Sequence, residues 1–161
     1  MPKTENQEFS KGKQYCLTLF KIRERSADEL KKRLRQKKFS PEIIKQLIAY
    51  FRDIQFLDDV RFARRWIEWR INNGYGRHRI ALELKEKGVA EDIIIKELNT
   101  ALLNYNEEEQ ATNLAQKRLG RYRRLDPAVL AHRLYGYLVR KGFSQNIVLK
   151  IIRRYDNKRD S

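Results

Sequence analysis

The side chains with the greatest chemical reach in this sequence are cationic. Lys31, Arg35 and Lys38 recur at spacings of four and three, which places them on one face of a helix, with Lys32 at its side. Arg61 and Arg65 repeat the four-residue spacing, Arg77-His78-Arg79 is a basic triplet, and Arg118, Arg121, Arg123 and Arg124 surround Tyr122. Arg153 and Arg154 precede a basic end, Lys158-Arg159. Rows of guanidinium and ammonium groups suit phosphate oxygens, which fix position without reading sequence, and such binding weakens steeply with salt. Arg79 and Glu83 are spaced to pair on a helix face, so some of this charge is compensated within the chain.

Other chemistry is thinly supplied. No GxxxxGK[ST] loop occurs, and Gly74-Tyr75-Gly76 reads as a turn. Two histidines, His78 and His132, and one cysteine, Cys16, are too few for a zinc cluster. Asp58-Asp59 and Glu107-Glu108-Glu109 stand where helices open, where negative charge suits the helix dipole. Ser26, Ser40 and Ser144 are placed as helix caps rather than as nucleophiles. The sequence therefore predicts no catalytic residue, no metal, no cofactor and no enzyme. A base-reading helix would need Asn, Gln and Arg on one face, and the third helix offers only Lys45, Gln46 and Arg52.

The elements that position these cations are helices. The chain has 161 residues, the size of one domain, with 41% hydrophobic and 35% charged residues, only 7 Gly and 3 Pro, and a formal charge of +15. That composition excludes collagen-like and Pro/Gly-rich disordered classes. A lone cysteine excludes an intrachain disulfide and suits a reducing compartment. No apolar run approaches the roughly 18–20 residues of a membrane span, and MPKTENQEFS carries no apolar signal segment, which points to a cytoplasmic protein. Apolar spacings of three and four predict nine helices, over about 14–25, 27–38, 41–55, 59–73, 77–87, 91–104, 107–120, 127–141 and 145–156. Ser26-Ala-Asp-Glu29 is a capping box, and Ser40-Pro41 and Asp126-Pro127 set a cap before proline.

Shifting the chain against itself exposes a repeat. Leu30, Leu34, Phe39, Ile43, Ile44 and Ile48 match Ile80, Leu84, Val89, Ile93, Ile94 and Leu98, which match Leu134, Leu138, Phe143, Ile147, Val148 and Ile152. Lys38, Gly88 and Gly142 share one register, where a left-handed residue would end a helix. The expected fold is all-α, an elongated array of three tandem three-helix repeats over 14–57, 58–104 and 105–157, between a frayed polar tail at 1–13 and a short tail at 158–161. Residues 1–58, 59–104 and 105–161 carry +6, +2 and +7, so the excess charge sits at the two ends. In the fourth helix Val60, Ala63, Ile67 and Ile71 oppose Phe62, Trp66 and Trp69, which predicts a helix buried between neighbours with the tryptophans as interface core.

Taken in order, Arg25-Ser26-x-x-Glu29-Leu30, Phe56-Leu57-Asp58-Asp59-x-x-Phe62-Ala63 and Gly74-Tyr75-Gly76-x-x-x-Ile80-x-x-Glu83-Leu84-x-x-Lys87-Gly88 resemble the RecX family. The likeness is densest over 25–98 and continues through Leu134-Tyr-Gly-Tyr-Leu138 and Arg140-Lys-Gly142-Phe143. Gln55-Phe56 replaces the family's usual Gly-Tyr, and Lys38 replaces glycine at the first helix-ending turn. The resemblance implies a cytoplasmic regulator, mainly an inhibitor, of the RecA recombinase, bound in the groove of the RecA–DNA filament. It implies limits on filament extension, ATP hydrolysis, strand exchange and co-protease activity, within recombinational repair and the SOS response. The implied partners are the RecA filament and single- or double-stranded DNA held through phosphates, with the free protein a monomer and no membrane involved. The expected contacts are Lys31, Arg35, Lys38, Arg61, Arg65, Arg77, Arg79, Arg121, Arg123 and Arg124. A stand-alone DNA- or RNA-binding helical module is the alternative that the same charge allows.

Overall fold

The computed structural model describes residues 2–122 and 125–157. Among them the chain forms nine α-helices and no strand: α1 (Pro2–Ile22), α2 (Ala27–Gln36), α3 (Pro41–Asp53), α4 (Asp59–Asn72), α5 (Arg77–Glu86), α6 (Glu91–Leu102), α7 (Glu107–Tyr122), α8 (Pro127–Lys141) and α9 (Gln145–Asn157). The predicted periodicity is the observed one. Leu30 and Leu34, Ile80 and Leu84, and Leu134 and Leu138 are each at most 1% exposed. Each such side chain contributes roughly 1.5–3 kcal/mol by leaving water.

The repeat is written most clearly in the backbone. Lys38, Gly88 and Gly142 all take left-handed φ, at 62°, 71° and 93°. In each copy the amide of the next residue donates to the carbonyl of the second repeat leucine, five residues back: Phe39 to Leu34 at 3.3 Å, Val89 to Leu84 at 3.1 Å and Phe143 to Leu138 at 3.3 Å. This is the six-to-one bond of a Schellman ending, made three times. It stops α2 at Gln36 rather than at 38. Gln55, at φ 57°, likewise ends α3 at Asp53 rather than at 55.

Of the polar tail expected at 1–13, residues 2–13 are instead helix. Glu8 accepts from the Ser40 amide at 2.7 Å and from its hydroxyl at 3.2 Å, so Glu8 serves the start of α3 and the Ser40 side chain makes no cap of its own. Phe9 meets Tyr50 edge-on at 5.9 Å, Lys13 lies 4.3 Å over the Tyr50 ring, and Gly12 is buried under Leu47. These contacts order a segment whose composition alone would leave it frayed.

The helices gather into two compact units, Met1–Arg65 with Leu84–Ile94, and Trp66–Glu83 with Ile95–Ser161. In the first, α1 and α2 pack on α3 around Leu19, Leu30, Leu34, Ile43, Leu47 and Phe51. In the second, α7, α8 and α9 pack together around Ala111, Ala115, Leu134, Leu138, Val148 and Ile151. Cys16 is buried in the first core, which pushes its thiol pKa up to about 12.

Candidate functional site

In the first unit the start of α2 is a polar joint. Ser26 accepts from the Glu29 amide at 3.1 Å and its hydroxyl donates to the Lys87 carbonyl; Glu29 returns the capping bond from the Ser26 amide at 3.3 Å. Glu29 also receives both terminal nitrogens of Arg23, at 3.0 and 2.8 Å, and Lys87 Nζ at 3.2 Å. Burial pushes the Glu29 carboxyl up, but the Arg23 hydrogen bonds and the Lys87 charge outweigh it and hold the pKa at about 2. Asp59 takes the Ala27 amide at 2.8 Å, and a Cβ on Gly88 would fall on the Asp28 side chain. The motif Arg-Ser-x-x-Glu-Leu and the acid pair at 58–59 thus build a joint. Beside it Arg25 is 7% exposed with Nε unpaired, and burial followed by the Arg23 charge lowers its pKa.

The second unit holds a matching knot around Glu83, which is 5% exposed. Its carboxylate accepts from Trp66 Nε1 at 3.1 Å, from Arg79 Nε at 2.9 Å, and from Arg70 Nε at 2.5 Å as well as a terminal Arg70 nitrogen. Burial raises the Glu83 pKa, but the Arg70, Arg79 and Trp66 hydrogen bonds leave it below the usual carboxylate range. The Arg70 guanidinium lies 4.0 Å over Tyr75 and 4.9 Å over Trp69. This changes the expectation for α4. Phe62 is buried, but Trp69 is 51% exposed, so the tryptophan strip serves a cation as well as packing.

The expected basic contacts sort by what already holds them. Arg61 and Arg65 both bond Glu24 Oε1, at 3.2 and 2.7 Å, and Arg61 also donates to the Gln55 carbonyl at 2.9 Å. Arg79 is tied to Glu83. Among the described residues the Arg77 side chain bonds the neutral Asn99 Oδ1, at 3.2 Å, while its amide caps on Glu107 at 2.9 Å. Lys31 is half-buried, Arg35, Lys38 and Arg121 are exposed, and none of the four makes an ion pair among the described residues. Lys32, by contrast, pairs with Asp28 at 2.7 Å. Arg123 and Arg124 lie outside the described residues. The cleanest surface is therefore Lys31 and Arg35 on α2 with Lys38 in the left-handed turn just past its end. Lys38 does not continue the expected helical stripe, but none of the three makes an ion pair among the described residues, and together they can hold phosphates or carboxylates.

Three family models match in chain order: RecX, first three-helix domain, over residues 13–51; RecX, second three-helix domain, over 58–96; and RecX, third three-helix domain, over 106–152. A regulatory protein RecX of Amycolatopsis mediterranei is 31% identical over 157 residues, spanning 95% of this chain and 89% of that one. The chain belongs to the RecX family. A regulatory protein RecX of Streptomyces coelicolor is 32% identical over 143 residues, covering 86% of this chain and 74% of its own. The crystal structure of RecX from Lactobacillus salivarius superposes with a TM-score of 0.76 at 25% identity, over 94% of this chain and 98% of that one. The three RecX domains coincide with α1–α3, α4–α6 and α7–α9, each carrying one copy of the left-handed helix ending.

Sequence reasoning passed over several residues that the structure makes prominent. Arg70 was invisible as a ligand of Glu83 because its partners lie on a different helix. Arg140 and Lys141 immediately precede the left-handed Gly142, and that register was the available signal for them. Here Gly76 donates its amide to the Lys141 carbonyl at 2.8 Å and His78 donates to the Gly142 carbonyl at 3.1 Å, so two turns are bonded backbone to backbone.

Proposed function

We propose that this chain is a regulator, mainly an inhibitor, of the RecA recombinase. It binds in the groove of the RecA–DNA filament and limits filament extension, ATP hydrolysis, strand exchange and co-protease activity. The observation that carries this is the run of three RecX domains, in order, across most of the chain. The cations Lys31, Arg35 and Lys38, which make no ion pair among the described residues, support a contact with a polyanionic assembly, including DNA phosphates. Among the described residues no helix is long and apolar enough to cross a membrane. The reading places a monomer in the cytoplasm, where its partner works.

The test adds the protein to RecA on single-stranded DNA with ATP and follows hydrolysis and filament length together. Hydrolysis falls and filaments shorten with the native chain, and the triple variant K31E/R35E/K38E loses at least tenfold in potency. Unchanged RecA hydrolysis, together with strongly salt-dependent binding to bare DNA, replaces this reading with the stand-alone nucleic-acid module.

A further inference from the structure

Within the second unit lies a cleft of about 590 Å³, between the start of α5 and the end of α8. Its size falls in the range of roughly 300–1,000 Å³ typical of ligand sites. The Gly76 and His78 amide bonds to the 141–142 carbonyls fix its two walls.

Its charge is one-sided. His78, Arg79, Arg140 and Lys141 line it, and no carboxylate does. Arg79 is paired with Glu83, but Glu83 already faces Arg70, so two guanidiniums share one carboxylate there. Lys141 Nζ rests 3.9 Å over the Tyr75 ring, and neither Arg140 nor Lys141 makes an ion pair among the described residues. The same walls carry two aliphatic side chains left in water, Leu82 at 48% and Val139 at 38% exposed. An anion with an apolar part fits such a lining.

The aromatic rings decide which kind. A nucleobase would need an open π-face to stack on. Tyr75 is covered by Arg70 at 4.0 Å and Lys141 at 3.9 Å, and Tyr137 has Arg118 at 4.7 Å. The rings are committed to cations, while the aliphatic side chains are open. We infer that this cleft docks an acidic peptide segment of a protein partner, with one aromatic or aliphatic side chain against Leu82 and Val139 and flanking carboxylates on Arg140, Lys141 and Arg79. The inference concerns the chemistry of the peptide, not its source, and stands apart from the RecA reading.

The probe is a fluorescein-labelled peptide of alternating Asp and Glu with one central Phe, titrated with the full chain by anisotropy. Parallel probes replace Phe with Ala, or are an oligothymidylate of equal formal charge. The Phe peptide binds. Arg140→Glu weakens it at least tenfold, Leu82→Ser at least fivefold, and Lys45→Glu, an equal charge change on α3, stays within twofold. Val139→Ser repeats the apolar test should Leu82→Ser lower the melting temperature. The inference is overturned by no binding, by equal binding of the Ala peptide, or by a Lys45→Glu loss matching that of Arg140→Glu. Preferential binding of the oligothymidylate that is lost in both cleft variants overturns it too, in favour of a nucleic-acid site.

Discussion

Gly76 and Gly142 touch through their backbones: a Cβ added to Gly76 would fall on the Gly142 carbonyl, and one added to Gly142 would fall on Arg79. No side chain, however flexible, can yield at the first contact. Gly76→Ala therefore destabilises the chain by about 1–3 kcal/mol, the usual cost of overpacking. Gly142→Ala adds roughly 1–2 kcal/mol for its φ of 93°. Gly120→Ala, with nothing within 4 Å, gains about 0.5–1 kcal/mol in α7. Urea unfolding of the three variants checks the order.

Removing the Glu83 carboxylate leaves the Arg70 guanidinium, 15% exposed, without its counter-ion. Breaking a buried pair from one side costs about 3–5 kcal/mol. Glu83→Ala should approach that loss, and Glu83→Gln should lose less because the amide oxygen still accepts. The quenching environment of Trp66 changes with both, so tryptophan fluorescence reports the local disruption alongside the unfolding midpoint.

Glu29 makes stability depend on acid. Its folded pKa of about 2 lies below the ordinary 4.5, so its contribution is complete above pH 4.5, drains as pH falls below that value and is gone below about 2. Glu29→Gln keeps the capping box but loses the charge. The variant should be less stable at neutral pH by on the order of 2 kcal/mol and show a flatter acid limb, measured as unfolding free energy against pH.

Lys38 holds a left-handed φ of 62° that glycine occupies in the other two copies. Lys38→Gly relieves strain of roughly 1–2 kcal/mol and returns part of it as chain entropy, for a net gain of about 0.5–1 kcal/mol. The same change removes the cation that follows Lys31 and Arg35 just past the end of α2. Thermal stability rises while potency against RecA hydrolysis falls.

Cys16 is fully buried, with its thiol pushed up to about 12 by desolvation. A thiol-reactive probe at mildly alkaline pH should leave the native chain unlabelled and label it at once in denaturant. Labelling kinetics therefore count opening of the first core.

The helices and their repeat were legible because they rest on local periodicity, as the three equivalent leucine and isoleucine pairs show. The start of α1 was not, because Glu8 and Phe9 gain order only from Ser40 and Tyr50 on α3. The candidate surface was half legible. Arg35 and Lys38 stand exposed as their spacing implies, but Arg61 and Arg65 are held by Glu24, 37 and 41 residues away, and no spacing rule reaches so far. The cations Arg140 and Lys141 gained meaning only when two turns met.

The compact units fall out of step with the domains. The boundary at Arg65 and Trp66 cuts α4, and those at Glu83 and Ile94 cut α5 and α6, so the middle domain is divided between the two units. A chimaera that swaps residues 58–96 as a cassette therefore transplants fragments of two compact units at once. Modularity in this chain belongs to its repeated grammar and not to its packing, and excising the middle domain should cost both flanking parts their cooperative unfolding.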